Sequence, residues 1–338
     1  MQNVLLLLSI GVVSLFSNCT QPKSAKDDTG GEETNAAQED YGGLFLYSEA
    51  GDGWECGSLR LVPITLNKAA SLGDRGLITL DEAMQKPGFR VMEKKEFGRQ
   101  TEGWFRGLTV QNKTEHPVLL LAGDVVKGGN QDRVIAQDYI IPARGLQNIE
   151  VFCVEAGRSH YYDPNAAASE KQLAGFYGYH SVCSPTVRSK VYAGEQSAVW
   201  KAVAQVTQAN QAETPTQTYA AIGSEDGTKA KREVCVNRWK EQFQRMPNAV
   251  GFVAVSNERV VGVEIFCDPG LFGRRLHPLL EGLAVEAVAS NTLEQGRAIS
   301  PEDAFRLAAA QTNAKAPSVP QIGKTTHQGT WVHLYSRW

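Results

Sequence analysis

The side chains best equipped for chemistry fall in two short stretches. Between Gly123 and Arg133 the sequence carries Asp124, Lys127, Asn130, Gln131, Asp132 and Arg133 around Gly128-Gly129, more hydrogen-bonding capacity than a connection between two strands needs for closure. Further on, Cys153, Glu155 and Arg158 place a thiol, a carboxylate and a guanidinium within six residues. Arg133 and Arg158 can fork onto carboxylates or phosphates. Asp124 and Glu155 are the candidate catalytic carboxylates, able to give or take a proton beside a held anion, while Lys127 and Gln131 could bind and orient it. The same set equally describes an internal salt-bridge network. Gly128-Gly129 beside Lys127 is a weak phosphate-cradle pattern, because a phosphate loop leads into a helix N-terminus and this stretch leads into a strand. The plainer alternative is a solvated hairpin loop. Glu264 is the lone acid in VVGVEIF and His333 the lone histidine in WVHLY. Each either projects into a site, with Glu264 then a further ligand-binding residue, or sits on the solvent face of an antiparallel sheet. Cys153 follows Val151 and Phe152 and reads as a small core residue, with nucleophilic character only if Arg158, Lys127 or His160 activates it.

Positioning these groups requires strands. Residues 118–122 are a short apolar run closed by Gly123, residues 134–141 a β-branched run that stops at Pro142, and residues 149–154 a third such run, and they read as three strands. In antiparallel meander order, the connection after the first and the exit from the third lie at the same sheet end. Asp124, Gln131, Arg133, Glu155 and Arg158 are then expected to converge, with Glu264 joining if its own hairpin packs nearby. Further strands are expected at 43–47, 59–66 and 105–111, with a short helix at 80–85. Residues 159–179 form a polar, aromatic loop containing His160, Tyr161, Tyr162, Asp163, Phe176, Tyr177 and Tyr179, followed by His180, which suggests a lid or a cap on the core.

Beyond it the apolar period changes to that of a helix. Val199, Val203 and Val206 share one face, as do Val236, Trp239, Phe243 and Met246, and as do Leu276, Leu279, Leu280 and Leu283. Residues 249–255 and 260–266 form a hairpin, and Ser300-Pro301-Glu302-Asp303 opens a helix reaching about Gln311. A last strand covers 331–335. The fold class is α+β, with a β-rich N-terminal part of antiparallel strands followed by amphipathic helices and a further hairpin packing on the sheet.

The chain opens with the 13 residues 4–16, almost unbroken in apolar character, a length that suits a signal-peptide core better than a permanent span. Leu15-Phe16-Ser17-Asn18-Cys19 resembles a bacterial lipobox, which makes residues 1–18 a lipoprotein signal peptide and Cys19 the lipidated N-terminus. Residues 19–42 are polar and too poor in apolar side chains to build a core, so they read as a tether, with 43–338 as a single domain. The expected location is the cell envelope, on the outer membrane through the N-terminal lipid, with the face of the membrane open. A formal charge of −3, with 21% charged residues, gives no electrostatic footprint for nucleic acid. After Cys19 five cysteines remain, an odd number that cannot all pair, and no Cys/His spacing supports a zinc site. No pattern specifies a cofactor.

The runs AGDVVKGGNQDRVI, IPARG, IEVFCVEAGR and VGFVAVSNERVVGVEIFCDPGLFGRRLHPLLEGLAVEAV occur in the order seen in the ARG and rhodanese-phosphatase-superfamily-associated domain family, which the chain resembles from about residue 59 to 288. Gln131, Arg133, Cys153, Glu155, Gly157, Arg158 and Glu264 match the family pattern. The resemblance carries no established activity. It implies nucleotide or ADP-ribose chemistry only through the proteins that give the family its name. Two functions are therefore expected: binding or processing of a phosphorylated or ADP-ribose-like small molecule, or a non-catalytic envelope lipoprotein that binds a glycan or a protein partner.

Overall fold

Runs of β-branched residues and well-marked helix starts build the fold locally. In the computed structural model, residues 41–48, 51–93, 107–159, 175–223, 227–289 and 296–338 are described. The signal peptide, Cys19, most of the tether and the His160–Asp163 part of the aromatic loop lie outside them. Along the chain run β1 (Leu44–Leu46), β2 (Glu55–Cys56), β3 (Leu59–Leu66), β4 (Ile78–Thr79), α1 (Leu80–Met84), β5 (Phe89–Glu93), β6 (Gly107–Asn112), β7 (Val118–Leu120), β8 (Asp124–Gly128), β9 (Arg133–Ile135), β10 (Tyr139–Ile141), β11 (Leu146–Cys153) and β12 (Phe176–Val182). Then follow α2 (Pro185–Ala193), α3 (Gln196–Ala209), α4 (Lys229–Gln244), β13 (Ala249–Ser256), β14 (Arg259–Phe266), α5 (Pro269–Ala289), α6 (Pro301–Ala309), β15 (Ile322–His327) and β16 (Thr330–Ser336). The class is α+β. Asp40–Trp338 form one compact unit. Among the described residues no helix is long and apolar enough to cross a membrane.

One sheet has the order β1-β3-β13-β14-β16-β15, with β2 pairing on β3, and all its pairs are antiparallel. Every residue of β13 is buried, because both faces of this sheet are covered. Phe252 and Ala254 face a core shared with α4 and α5, whereas Val250, Val253 and Val255 face a second core shared with α6. The turn from β13 to β14 consists of Asn257 and Glu258, both at positive φ, the conformation whose twist matches a two-residue hairpin. Gly251 in β13 has a specific reason to lack a side chain: a Cβ there would lie 1.9 Å from the Glu264 carbonyl oxygen.

The other strands form a sheet of order β12-β8-β9-β11-β6-β5 and a small one of order β10-β7-β4. Here the meander expectation fails. The run 118–128 bends at Gly123, where φ is +94° and the Asp124 carboxylate folds back to accept from the Leu121 amide. The return run 133–141 bends at 136–138. One long hairpin is thereby split between two sheets, β8 pairing with β9 in the larger and β7 with β10 in the smaller. The expected polar connection from Gly123 to Arg133 is consequently mostly strand, and only 129–132 turn. Phe176, Tyr177, Tyr179 and His180 likewise lie on strand β12 rather than in the aromatic loop.

Helix α1 begins with a capping box between Thr79 and Glu82, and α6 with the Ser300 side chain accepting from the Asp303 amide, as their sequences specify. A disulfide joins Cys56 of β2 to Cys235 of α4, 179 residues apart, while Cys153, Cys183 and Cys267 are free and buried. Closing so long a loop restricts the unfolded chain strongly. Reduction, or Cys56→Ser, is therefore expected to cost about 2–5 kcal/mol. Calorimetry with and without reductant tests this, and identical melting temperatures would show that the two sulfurs are not bridged.

Candidate functional site

The family motif residues build a turn and the clamp that holds it. Glycines at 128 and 129 let the chain leave β8 at positive φ, which points their carbonyls toward Arg158. Arg158 Nη1 donates to the Gly129 carbonyl (2.7 Å) and Nη2 to that of Gly128 (3.2 Å). Nε and Nη2 also donate to Glu155 Oε2 (2.9 and 2.6 Å), and Nη2 to Asp132 Oδ1 (3.2 Å). Glu155 in turn accepts from the Asp132 amide (3.0 Å), and Gln131 Nε2 donates to the Glu155 carbonyl (2.8 Å). Gln131, Glu155 and Arg158 thus meet as expected, but both charged partners are buried and engaged with protein atoms. Arg158 is a strut for the turn, and Glu155 is its counter-charge.

Arg133 leaves β9 beside this cluster. Its Nη1 contacts the Cys153 sulfur and its Nη2 lies 3.5 Å from Glu93 Oε1, while its buried Nε has no partner among the described residues. Burial pushes the Cys153 thiol up, against the pull of Arg133, so it stays protonated and a poor nucleophile. Asp124 does not join this group. It begins β8 at the end opposite Gly128, about 13 Å away at strand rise, where its carboxylate accepts from Leu121 N (2.7 Å), Tyr179 Oη (2.9 Å) and the Arg275 guanidinium. Asp124 and Arg275 are wholly buried. With all of these partners in place, the carboxylate pins α5 to β8 and has no free edge for a substrate.

Glu264 and His333 do not face solvent. Their neighbouring strands β14 and β16 place them side by side, both buried, with Glu264 Oε2 2.8 Å from His333 Nε2. Asp138, from the bend between β9 and β10, holds His333 Nδ1 at 2.7 Å, and Arg188 Nη1 of α2 donates to Glu264 Oε1 at 2.5 Å. Phe266 and Tyr335 stack on the imidazole. Burial alone would lower the His333 pKa, but Asp138 and Glu264 raise it to about 9. Burial also works to raise Glu264, and the charges of Arg188 and His333 overcome it and hold its carboxyl below the ordinary range.

Accessible polar groups gather elsewhere. A cavity of about 400 Å³ lies between α4 and α5, with His180 and Ser181 of β12 also in its wall. Its α4 side carries Lys229, Arg232, Glu233, Val236 and Asn237, spaced as one helix face, and its α5 side carries His277, Glu281 and Val285. Arg232 is buried and braced by Thr228 Oγ1 (2.7 Å) and Asn210 Oδ1 (3.2 Å), whereas Lys229 is exposed. Burial, reinforced by the charges of Lys127 and Arg232, pushes His180 down to about 4, which leaves a neutral imidazole at neutral pH. Burial raises Glu281, opposed by His277 and Arg232. Lys127 is thus the one expected ligand-binding residue whose charge reaches this cavity. The others missed it because the cavity-lining face of α4 reads in sequence as an ordinary solvated stripe. Arg275 and Arg188 were also missed. Their signal is position, since each interrupts the apolar face of its helix, Arg275 between Leu271 and Leu279 and Arg188 between Val187 and Val191. Among the described residues no set of three His, Cys, Asp or Glu side chains is arranged to hold a metal ion.

An α+β framework stitched by buried ion pairs, with an open cleft between two helices, is the class of structure that these residues define. The chain belongs to the ARG and Rhodanese-Phosphatase-superfamily-associated Protein domain family, whose model matches residues 48–330. It matches no curated protein and no solved structure.

The raised pKa of His333 fixes the sign of a pH effect. Its stabilisation is complete below the unfolded value near 6.5 and is lost as pH rises through about 9, a total of roughly 3 kcal/mol. Denaturant midpoints at pH 6 and pH 10 should fall more steeply for the natural protein than for His333→Gln. Parallel slopes would show that His333 is neutral in the fold.

Proposed function

We propose that the protein is an exported, lipid-anchored binder of a phosphorylated small molecule, which it holds in the cleft between α4 and α5. The observation that carries this reading is the concentration of Lys229, Arg232 and the half-buried His180 on a cavity of about 400 Å³, the size range of small-molecule sites. The α4 N-terminus bears Lys229, Lys231 and Arg232 and no acidic residue in its first turn, a charge choice that opposes the helix dipole and favours an anion there. Arg232 is held by Thr228 and Asn210 before any ligand arrives, so little ordering is needed on binding. Neutral His180 can donate to or accept from the ligand. The Arg133 and Arg158 clusters do not compete for this role, because neither arginine lines this cavity.

Export is supported by the Cys56–Cys235 disulfide, a bond that persists in oxidising compartments. Anchoring rests on the apolar stretch that ends at Cys19 and on the polar residues after it.

A thermal-shift screen with nucleotides, ADP-ribose and sugar phosphates is the test of binding. A ligand at a hundredfold excess over its Kd should raise the melting temperature by about 5 °C. Lys229→Ala should weaken that ligand on the order of tenfold with the apo melting temperature unchanged. No shift with any phosphorylated compound would reject the reading. For the anchor, Cys19→Ala should abolish metabolic lipid labelling; persistent labelling of the variant would place the lipid elsewhere, and no labelling of the natural protein would reject the anchor.

A further inference from the structure

We infer that the cleft between α4 and α5 takes a sugar phosphate, a pentose or hexose monoester, in preference to a nucleotide; this rests on the phosphorylated-ligand reading and narrows it. The cleft is graded along its length. Lys229 and Arg232 stand in the first turn of α4 with His180 beside them, and Lys127 and Arg232 both act on that imidazole. One turn on, Glu233 on α4 and Glu281 on α5 present carboxylates, and His277 and Arg232 work against the burial of Glu281. Asn237 and His277 lie beyond. At helical rise, Lys229 to Asn237 spans about 12 Å.

This gradient specifies the ligand's two ends. Exposed Lys229 and a neutral imidazole can hold a phosphate dianion, and the charge of buried Arg232 stands behind them. Two carboxylates beside that anion would repel it unless the ligand presents hydrogen-bond donors to them, because an ionised carboxylate can only accept. Hydroxyl groups next to a phosphate supply such donors, and Asn237 can both donate and accept. A nucleobase would want an aromatic face to stack on. Among the described lining residues there is no Phe, Tyr or Trp, and His180 is already packed edge-to-face on Tyr219. Ile222, Val236 and Val285 give an apolar surface suited to the C–H face of a sugar ring.

Calorimetric titration of the protein with ribose 5-phosphate, inorganic phosphate, ribose, AMP and phosphoethanolamine decides the matter. Ribose 5-phosphate should bind at least tenfold more tightly than any of the other four. Glu281→Gln should weaken ribose 5-phosphate about tenfold and leave inorganic phosphate unchanged, whereas Lys229→Ala should weaken both. Inorganic phosphate or AMP binding as tightly as ribose 5-phosphate would overturn the sugar assignment while sparing the phosphorylated-ligand reading. Phosphoethanolamine binding as tightly would transfer the carboxylates to an ammonium group and overturn it equally. Ribose binding as well as its phosphate, or no binding by any of the phosphorylated probes, would remove the phosphorylated-ligand reading itself.

Discussion

Two buried carboxylates, an imidazolium and a guanidinium sit in one line, Asp138–His333–Glu264–Arg188, and the two larger sheets are held relative to each other through them. Glu264 and His333 belong to the sheet around β13, Asp138 to the bent hairpin that links the other two sheets, and Arg188 to a helix packed over them. The charges alternate along the line, and His333 is shared between the two carboxylates. Losing one member would strand the others in a low-dielectric interior, a cost of about 3–5 kcal/mol against a total stability of about 5–15 kcal/mol for a domain. Asp138 does a second task, since its other oxygen accepts from the Ala122 amide at the bend. The same carboxylate therefore shapes the hairpin and docks it.

This arrangement explains why residues that look catalytic in sequence are structural in space. Arg158 donates to two carbonyls at the glycine corner where β8 ends and the turn begins, and Glu155 and Asp132 neutralise it. Arg275 does for Asp124 what Arg188 does for Glu264. Each charged pair sits where an irregular piece of backbone or a helix must be fixed to a strand, because apolar contact alone leaves such a joint free to slide. The groups left for a ligand are those on the helix faces that no strand covers.

Much of this fold could be read from the chain. The β13–β14 hairpin, the helical faces of α3, α4 and α5, the capped start of α6 and the final strand follow from periodicity and end signals, since each is a local property. The bent hairpin was not legible, because Gly123 reads as the end of a strand and the stretch around Asp138 as the middle of one, when both are corners within one hairpin. The site was harder still. Proximity of Gln131, Glu155 and Arg158 was visible from motif and topology together, but whether an arginine is saturated depends on carbonyl directions that no residue type reports. Lys229, Arg232, Glu233 and Asn237 become a wall only when α5 lies alongside, and nothing within α4 announces that neighbour.

Gly251 has a consequence for how the hairpin assembles. With the Glu264 carbonyl only 1.9 Å from where a Cβ would stand, β13 and β14 can close with their side chains intact only if the bare residue meets that carbonyl. A slip by one residue would bring Val250 or Phe252 to the same spot and turn every side chain of the strand to the wrong face. The missing side chain thereby ties the sequence to this alignment, the one in which Glu264 lies beside His333.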